Sequence, residues 1–165
     1  MKKLYYEYVR KYSTRNIFLL TIFLCIILNF FFLRIVLKNG LTGDDWDLLF
    51  SYKTFDPQPL NRISDAWMFK GPYVTIQFYY IGLLEAIFGI NYLLFNIINL
   101  LFKIFASITL FILISKIFKN FLLAIYSAII FSIIHSSAGA LMYVVKGTEY
   151  LAIGFMNLFF LYYYR

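Results

Sequence analysis

The run from Asn91 to Phe118 decides most of what this chain can become. It is apolar along nearly its whole length, with Lys103 in the middle and Lys116 near its end as its charged residues. A helix needs about 20 apolar residues to cross a hydrocarbon core about 30 Å thick, and this run exceeds that. Further apolar runs occupy Ile17 to Leu37, Phe121 to Ile134 and the stretch ending at Tyr164. Of the 165 residues, 62% are hydrophobic and 14% charged, whereas soluble domains run at about 45–50% and about 25%. An excess of this size calls for lipid as a solvent.

The net charge of +7 would suggest nucleic acid on a soluble protein. Here the bases flank apolar runs, so they read as topology signals and nucleic acid is set aside. Lys2, Lys3, Arg10, Lys11 and Arg15, against the single acid Glu7, mark residues 1–16 as a cytoplasmic flank. The first apolar run is too long for the core of a cleavable signal and lacks a small-residue cleavage site, so it reads as a retained span. The stretch 73–90 is ambiguous, because it contains Gln77, Gly82 and Glu85 and ends at Gly89. Charge arbitrates. If 73–90 lies at the interface, Lys116, Lys119 and Arg165 join the N-terminal bases inside. Lys38, Lys53, Arg62, Lys70 and Lys146 are then the bases outside. If it spans, the excess of bases inside disappears, so the interfacial arrangement obeys the positive-inside rule better.

The expected fold is therefore an all-α integral membrane protein of about four transmembrane helices, with an interfacial juxtamembrane helix in the first outer loop. The spans are expected at 17–37, 92–117, 121–135 and 149–164. The outer loops are 38–91, with the juxtamembrane helix at 73–90, and 136–148. The expected location is the plasma (inner) membrane, multi-pass, with the N-terminus cytoplasmic. All the acids but Glu7 then fall on or near the outer face, although acids near lipid are costly.

Gly43-Asp44-Asp45-Trp46-Asp47 follows the first span directly. Adjacent carboxylates can hold a hard divalent cation, or repel each other until one becomes a base. The bland reading is a solvated acidic loop that enforces topology. Arg62, Lys70 and Lys146 are outside bases able to meet a phosphate, or ordinary interfacial side chains. Glu149, just after Lys146-Gly147-Thr148, suits the first turn of a helix electrostatically. Lys103 must reach water, a carboxylate or the bundle interior. Tyr79, Tyr80, Tyr143, Tyr150 and the run Tyr162 to Tyr164 fit an aromatic belt. Cys25 reads as a small core or lipid-facing residue, and the lone His135 as a marker of the interface.

The order of these features resembles the N-terminal part of GT-C glycosyltransferases, the protein O-mannosyltransferase and aminoarabinose transferase groups above all. The resemblance rests on Asp44-Asp45 after the first span, Lys70-Gly71-Pro72, the stretch Phe88-Gly89-Ile90-Asn91 and the basic turn from Lys116 to Asn120. It covers nearly the whole chain from Ile17. It implies transfer of a sugar from a polyprenyl-phosphate donor to an acceptor on the outer face. Asp44 or Asp45 would be the catalytic base, with a divalent metal as an optional aid. Arg62, Lys70, Lys146 and Glu149 would line the substrate and phosphate side. Family members have around a dozen spans, so the chain reads as part of a longer protein. The rival reading is a non-catalytic multi-pass subunit or a transporter fragment.

The topology has a direct test. A cysteine placed near Lys119 is expected to resist an impermeant reagent added outside, while one near Ser137 labels. The reverse pattern would mean that 73–90 spans.

Overall fold

The structure is a computed structural model. It describes residues 15–16, 18–31, 41, 45–47, 49–50, 76–137 and 144–164. Among these residues every regular element is a helix and no strand occurs. In chain order the helices are α1 (Phe18–Phe31), α2 (Ile76–Phe88), α3 (Tyr92–Phe118), α4 (Phe121–Ser137) and α5 (Gly147–Tyr163). Residues 45–47 and 49–50 are also helical, and a single 3-10 turn, Val144–Lys146, leads into α5.

Local chemistry sets the boundaries. Gly89 takes a positive φ of 63° and its N–H donates to the Glu85 carbonyl at 2.8 Å, which closes α2. Asn91 then caps α3, its side-chain oxygen accepting from the Leu94 N–H at 3.3 Å. At the other end Lys119 turns left-handed, with φ of 50°, and stops α3. Asn120 immediately caps α4 by accepting from Leu122 and Leu123 at 3.0 and 3.2 Å. With only Lys119 and Asn120 between them, α3 and α4 form a helical hairpin.

With 27 residues, α3 is the one helix among the described residues that is long and apolar enough to cross a membrane. At 1.5 Å per residue it runs about 40 Å, more than the hydrocarbon thickness. It packs against both α4 and α5. Cys25 and Phe18 of α1 close against Phe111 of α3 and Ala124 and Ala128 of α4, so the cysteine belongs to the core. Ile26 of α1 joins Leu100, Ile104 and Ile108 of α3. Leu84, Phe88 and Tyr80 of α2 pack with Phe95 and Ile98 of α3, Val144 and Leu41.

The interior mixes large apolar residues such as Phe95, Leu100 and Phe111 with many small or polar ones: Ala124, Ala128 and Ser132 on α4; Gly147, Gly154 and Asn157 on α5; Asn96, Asn99, Lys103 and Ser107 on α3. Outward positions carry Leu101, Leu122, Ile130, Phe155, Met156, Phe159 and Phe160. Small and polar residues at helix contacts, with large apolar ones outside, are what helices packed in lipid select. Tyr150, grouped in the sequence with an interfacial belt, instead lies in the interior against Phe102 and Phe131. Helical spacing explains the difference, because Gly147, Tyr150, Gly154 and Asn157 fall on one face of α5.

Gly154 lets α5 approach α3 closely, since a Cβ there would run into the Phe105 ring. Overpacking of this kind costs about 1–3 kcal/mol. Gly154→Val should therefore lower thermal stability in detergent micelles by that amount. Ala152→Val, at an exposed position of the same helix, should leave it unchanged.

Candidate functional site

The site lies at the end of the bundle where α5 begins. Asn99 sits about two turns into α3 and is buried. Its side-chain oxygen accepts a hydrogen bond from the Tyr80 hydroxyl of α2. Its side-chain nitrogen donates to the Val144 carbonyl at 2.8 Å. One amide thus ties α2, α3 and the turn before α5 together. Gly147 is where this becomes possible, because a Cβ there would collide with both the Asn99 oxygen and the Tyr80 hydroxyl.

Asp45 is fully buried at this level. Burial first, and the nearby Asp45 charge second, push the Tyr80 phenol above its ordinary range. The phenol therefore stays protonated and donating. Its ring lies 6.1 Å from that of Phe102, centroid to centroid. Leu41, Leu84, Phe88, Phe95 and Ile98 pack the same region apolar. The Tyr80–Asn99 contact thus has largely apolar neighbours, and polar interactions gain strength in such surroundings.

Lys146 and Glu149 stand at the same end. The Lys146 ammonium donates to Glu149 at 2.7 Å, with both side chains about one-third exposed or less. Glu149 occupies the first turn of α5, where the helix dipole favours a carboxylate. A pair this exposed contributes under about 1 kcal/mol. Its consequence is chiefly electrostatic, because Glu149 offsets the Lys146 charge that the sequence offered to a phosphate.

Of the residues singled out in the sequence, the structure thus brings Asp45, Lys146 and Glu149 to one end of the bundle. Asp44, Arg62 and Lys70 lie outside the described residues. Trp46 and Asp47, next to Asp45, are exposed. Among the described residues no group of three His, Cys, Asp or Glu side chains converges. Asp44, the other carboxylate considered for a divalent cation, lies outside the described residues.

Asn99 is a site residue that the sequence reading did not single out, and Tyr80 was read there as part of an aromatic belt. The signal for Asn99 was the spacing Asn96, Asn99, Lys103 and Ser107, which lines one face of an otherwise apolar helix. Further along α3, Lys103 resolves its own question: it is fully buried in the bundle and donates to the Ser132 carbonyl of α4 at 2.8 Å. Towards the far end, Asn157 of α5 donates to Thr109 at 3.2 Å and to the Ala106 carbonyl at 3.4 Å.

Compared with known protein families, curated proteins and solved structures, the chain matches none. Function must therefore be argued from the residues themselves.

The Asn99 contacts make a graded prediction. Tyr80→Phe removes one hydrogen bond, worth about 0.6 kcal/mol between helices in lipid. Asn99→Leu removes both and leaves the Val144 carbonyl and the Tyr80 hydroxyl unpartnered, at about 1–3 kcal/mol. Thermal unfolding in micelles should rank Asn99→Leu well below Tyr80→Phe. Equal losses would contradict the bridging role of Asn99.

Proposed function

We propose that the chain is the N-terminal part of a multi-pass membrane glycosyltransferase of GT-C type. Asp45 serves as its acceptor base on the extracytoplasmic face. α1, α3, α4 and α5 cross the membrane, the N-terminus is cytoplasmic, and α2 lies along the outer interface. The assignment of α2 rests on the distribution of bases along the sequence, since the described parts of α1, Phe18–Phe31, and α2, Ile76–Phe88, are of nearly equal length. Helices α4 and α5, at 17 residues each, sit at the lower limit for crossing.

The observation that carries the reading is the fully buried Asp45 carboxylate, whose charge acts on Tyr80 near the end where α5 begins. A carboxylate in an apolar, hydrogen-bonded setting is the kind of group that becomes a working base. In the proposed step Asp45 takes the proton of the acceptor hydroxyl or amine. The acceptor heteroatom bonds to the anomeric carbon of the donor sugar as the bond from that carbon to the phosphate oxygen breaks. The polyprenyl phosphate leaves with the electron pair, and Arg62 and Lys70 offset its charge.

One observation favours the second reading, a non-catalytic membrane subunit. Asp45 is enclosed by protein, as a purely structural acid would be. The two readings part on a single substitution. Asp45→Asn keeps the shape but cannot accept the proton. In the full-length protein, in vesicles supplied with a polyprenyl-phosphate sugar, it should lower transfer about 10²–10⁴-fold with insertion and thermal stability retained. Full transfer would overturn the catalytic reading. Loss of stability without any transfer by the native protein would establish the structural one.

A further inference from the structure

The direction of α2 is fixed by its contacts with α3. Tyr80 lies about 12 Å of helix before Phe88, and Asn99 about 10 Å after Tyr92, at about 1.5 Å per residue. Only Gly89, Ile90 and Asn91 stand between the two helices. If α2 left α3 at a right angle, the backbones at Tyr80 and Asn99 would be about 16 Å apart. The two side chains nevertheless share a hydrogen bond, and the Tyr80 ring lies 6.1 Å from that of Phe102. Nearer the turn, Leu84 and Phe88 join Phe95 in one cluster. Helix α2 therefore folds back along the first turns of α3 as an antiparallel hairpin. Ile76 falls one turn beyond Tyr80, close to the level of the middle of α3.

Helix α1 is also antiparallel to α3. Phe18 meets Phe111 with ring centroids 5.6 Å apart, while Ile26 packs with Leu100 and Ile104. Cys25 against Ala124 and Ala128, and Asn29 bonded to Ser132, set α1 parallel to α4. So α1 and α2 point the same way. In the sequence between them, charges recur from Lys38 to Lys70 too closely for an apolar run of about 20 residues. With α1 and α3 crossing in opposite directions, α1 ends on the side where α3 begins, and α2 need not cross.

We propose that α2 is a re-entrant helix whose outward stripe is covered by the acyl chains of the outer leaflet. It starts within the leaflet, rises along α3 and reaches the membrane face at Gly89. The inference rests on the membrane reading above and refines its placement of α2, which stays on the outer side but stands in the leaflet instead of along its surface. The stripe consists of Ile76, Leu83 and Ile87, all exposed and on one face of the helix. The protein side buries Gln77, Phe78, Ile81 and Leu84. A helix lying flat at the interface turns a charged or polar face to water, whereas the outward stripe of α2 is apolar. Standing beside the outer half of α3, these side chains are at the depth of hydrocarbon. None of the three is small or polar, the kinds of residue that helices in lipid use to meet one another. Acyl chains fit them better than a further helix does.

The test is spin-label depth measurement on the full chain in phosphatidylcholine bilayers. Single cysteines replace Ile76, Leu83, Ile87 and, as a reference on the outward side of α3, Leu101. The unsubstituted chain, with Cys25 buried, is the blank. The ratio of oxygen to nickel-chelate accessibility should rise several-fold from Ile87 through Leu83 to Ile76, where it approaches that of Leu101. If the Leu83 variant does not insert, exposed Ala86 supplies the intermediate position. Equal ratios along α2 with Leu101 in hydrocarbon would overturn the re-entrant helix and leave the membrane reading standing. Low access of both reagents along the stripe would overturn lipid as the occupant and identify a protein neighbour. Chelate access at Leu101 as well would overturn the membrane reading and this inference with it.

Discussion

Hydrogen bonds from the polar face of α3 reach the elements around it. Asn99 joins α2 and the turn before α5, Lys103 and Ser107 reach Ser132 of α4, and Thr109 meets Asn157 of α5. Asn29 brings α1 into the same set through Ser132. Among the described residues the interior thus holds asparagine, serine, lysine and glycine beside phenylalanine and leucine, and polar pairs between helices help to select the arrangement.

The constraint also fixes where chemistry can sit. A carboxylate buried in such a bundle is expensive unless polar groups face it. Asp45 is accommodated at the one end where Tyr80, Asn99 and the start of α5 converge. Gly147 is part of the same solution, because it removes the atom that would force α5 away from Asn99. A buried carboxylate, a hydrogen-bonded phenol and a pair of opposite charges therefore share one end of the bundle for reasons of packing.

Much of the helical framework was legible in the sequence. The apolar runs near 92–117, 121–135 and 149–164 correspond to helices, and Gly89, Asn91, Lys119 and Asn120 give the boundaries their local cause. The site was legible only in part. Asp45, Lys146 and Glu149 stood out because charge is conspicuous in an apolar chain. Tyr80 and Tyr150 did not, because a tyrosine near a span end has two uses. Anchoring at the interface and bonding in the interior leave the same mark on a sequence. Their separation depends on which face of the helix meets a neighbour, and that is decided by partners distant along the chain.

The short link at Lys119 and Asn120 bears on how the molecule assembles. Lys103 and Ser132 are 29 residues apart, and Ser107 and Ser132 only 25, so α3 and α4 can pair soon after both have been made. The contacts of α5 and the turn before it with α3 close larger loops, of 45 to 51 residues. The bond from Asn29 to Ser132 closes one of 103. Loop-closure entropy delays distant contacts relative to local ones. Of these contacts, the one between α1 and α4 thus carries the largest loop-closure cost.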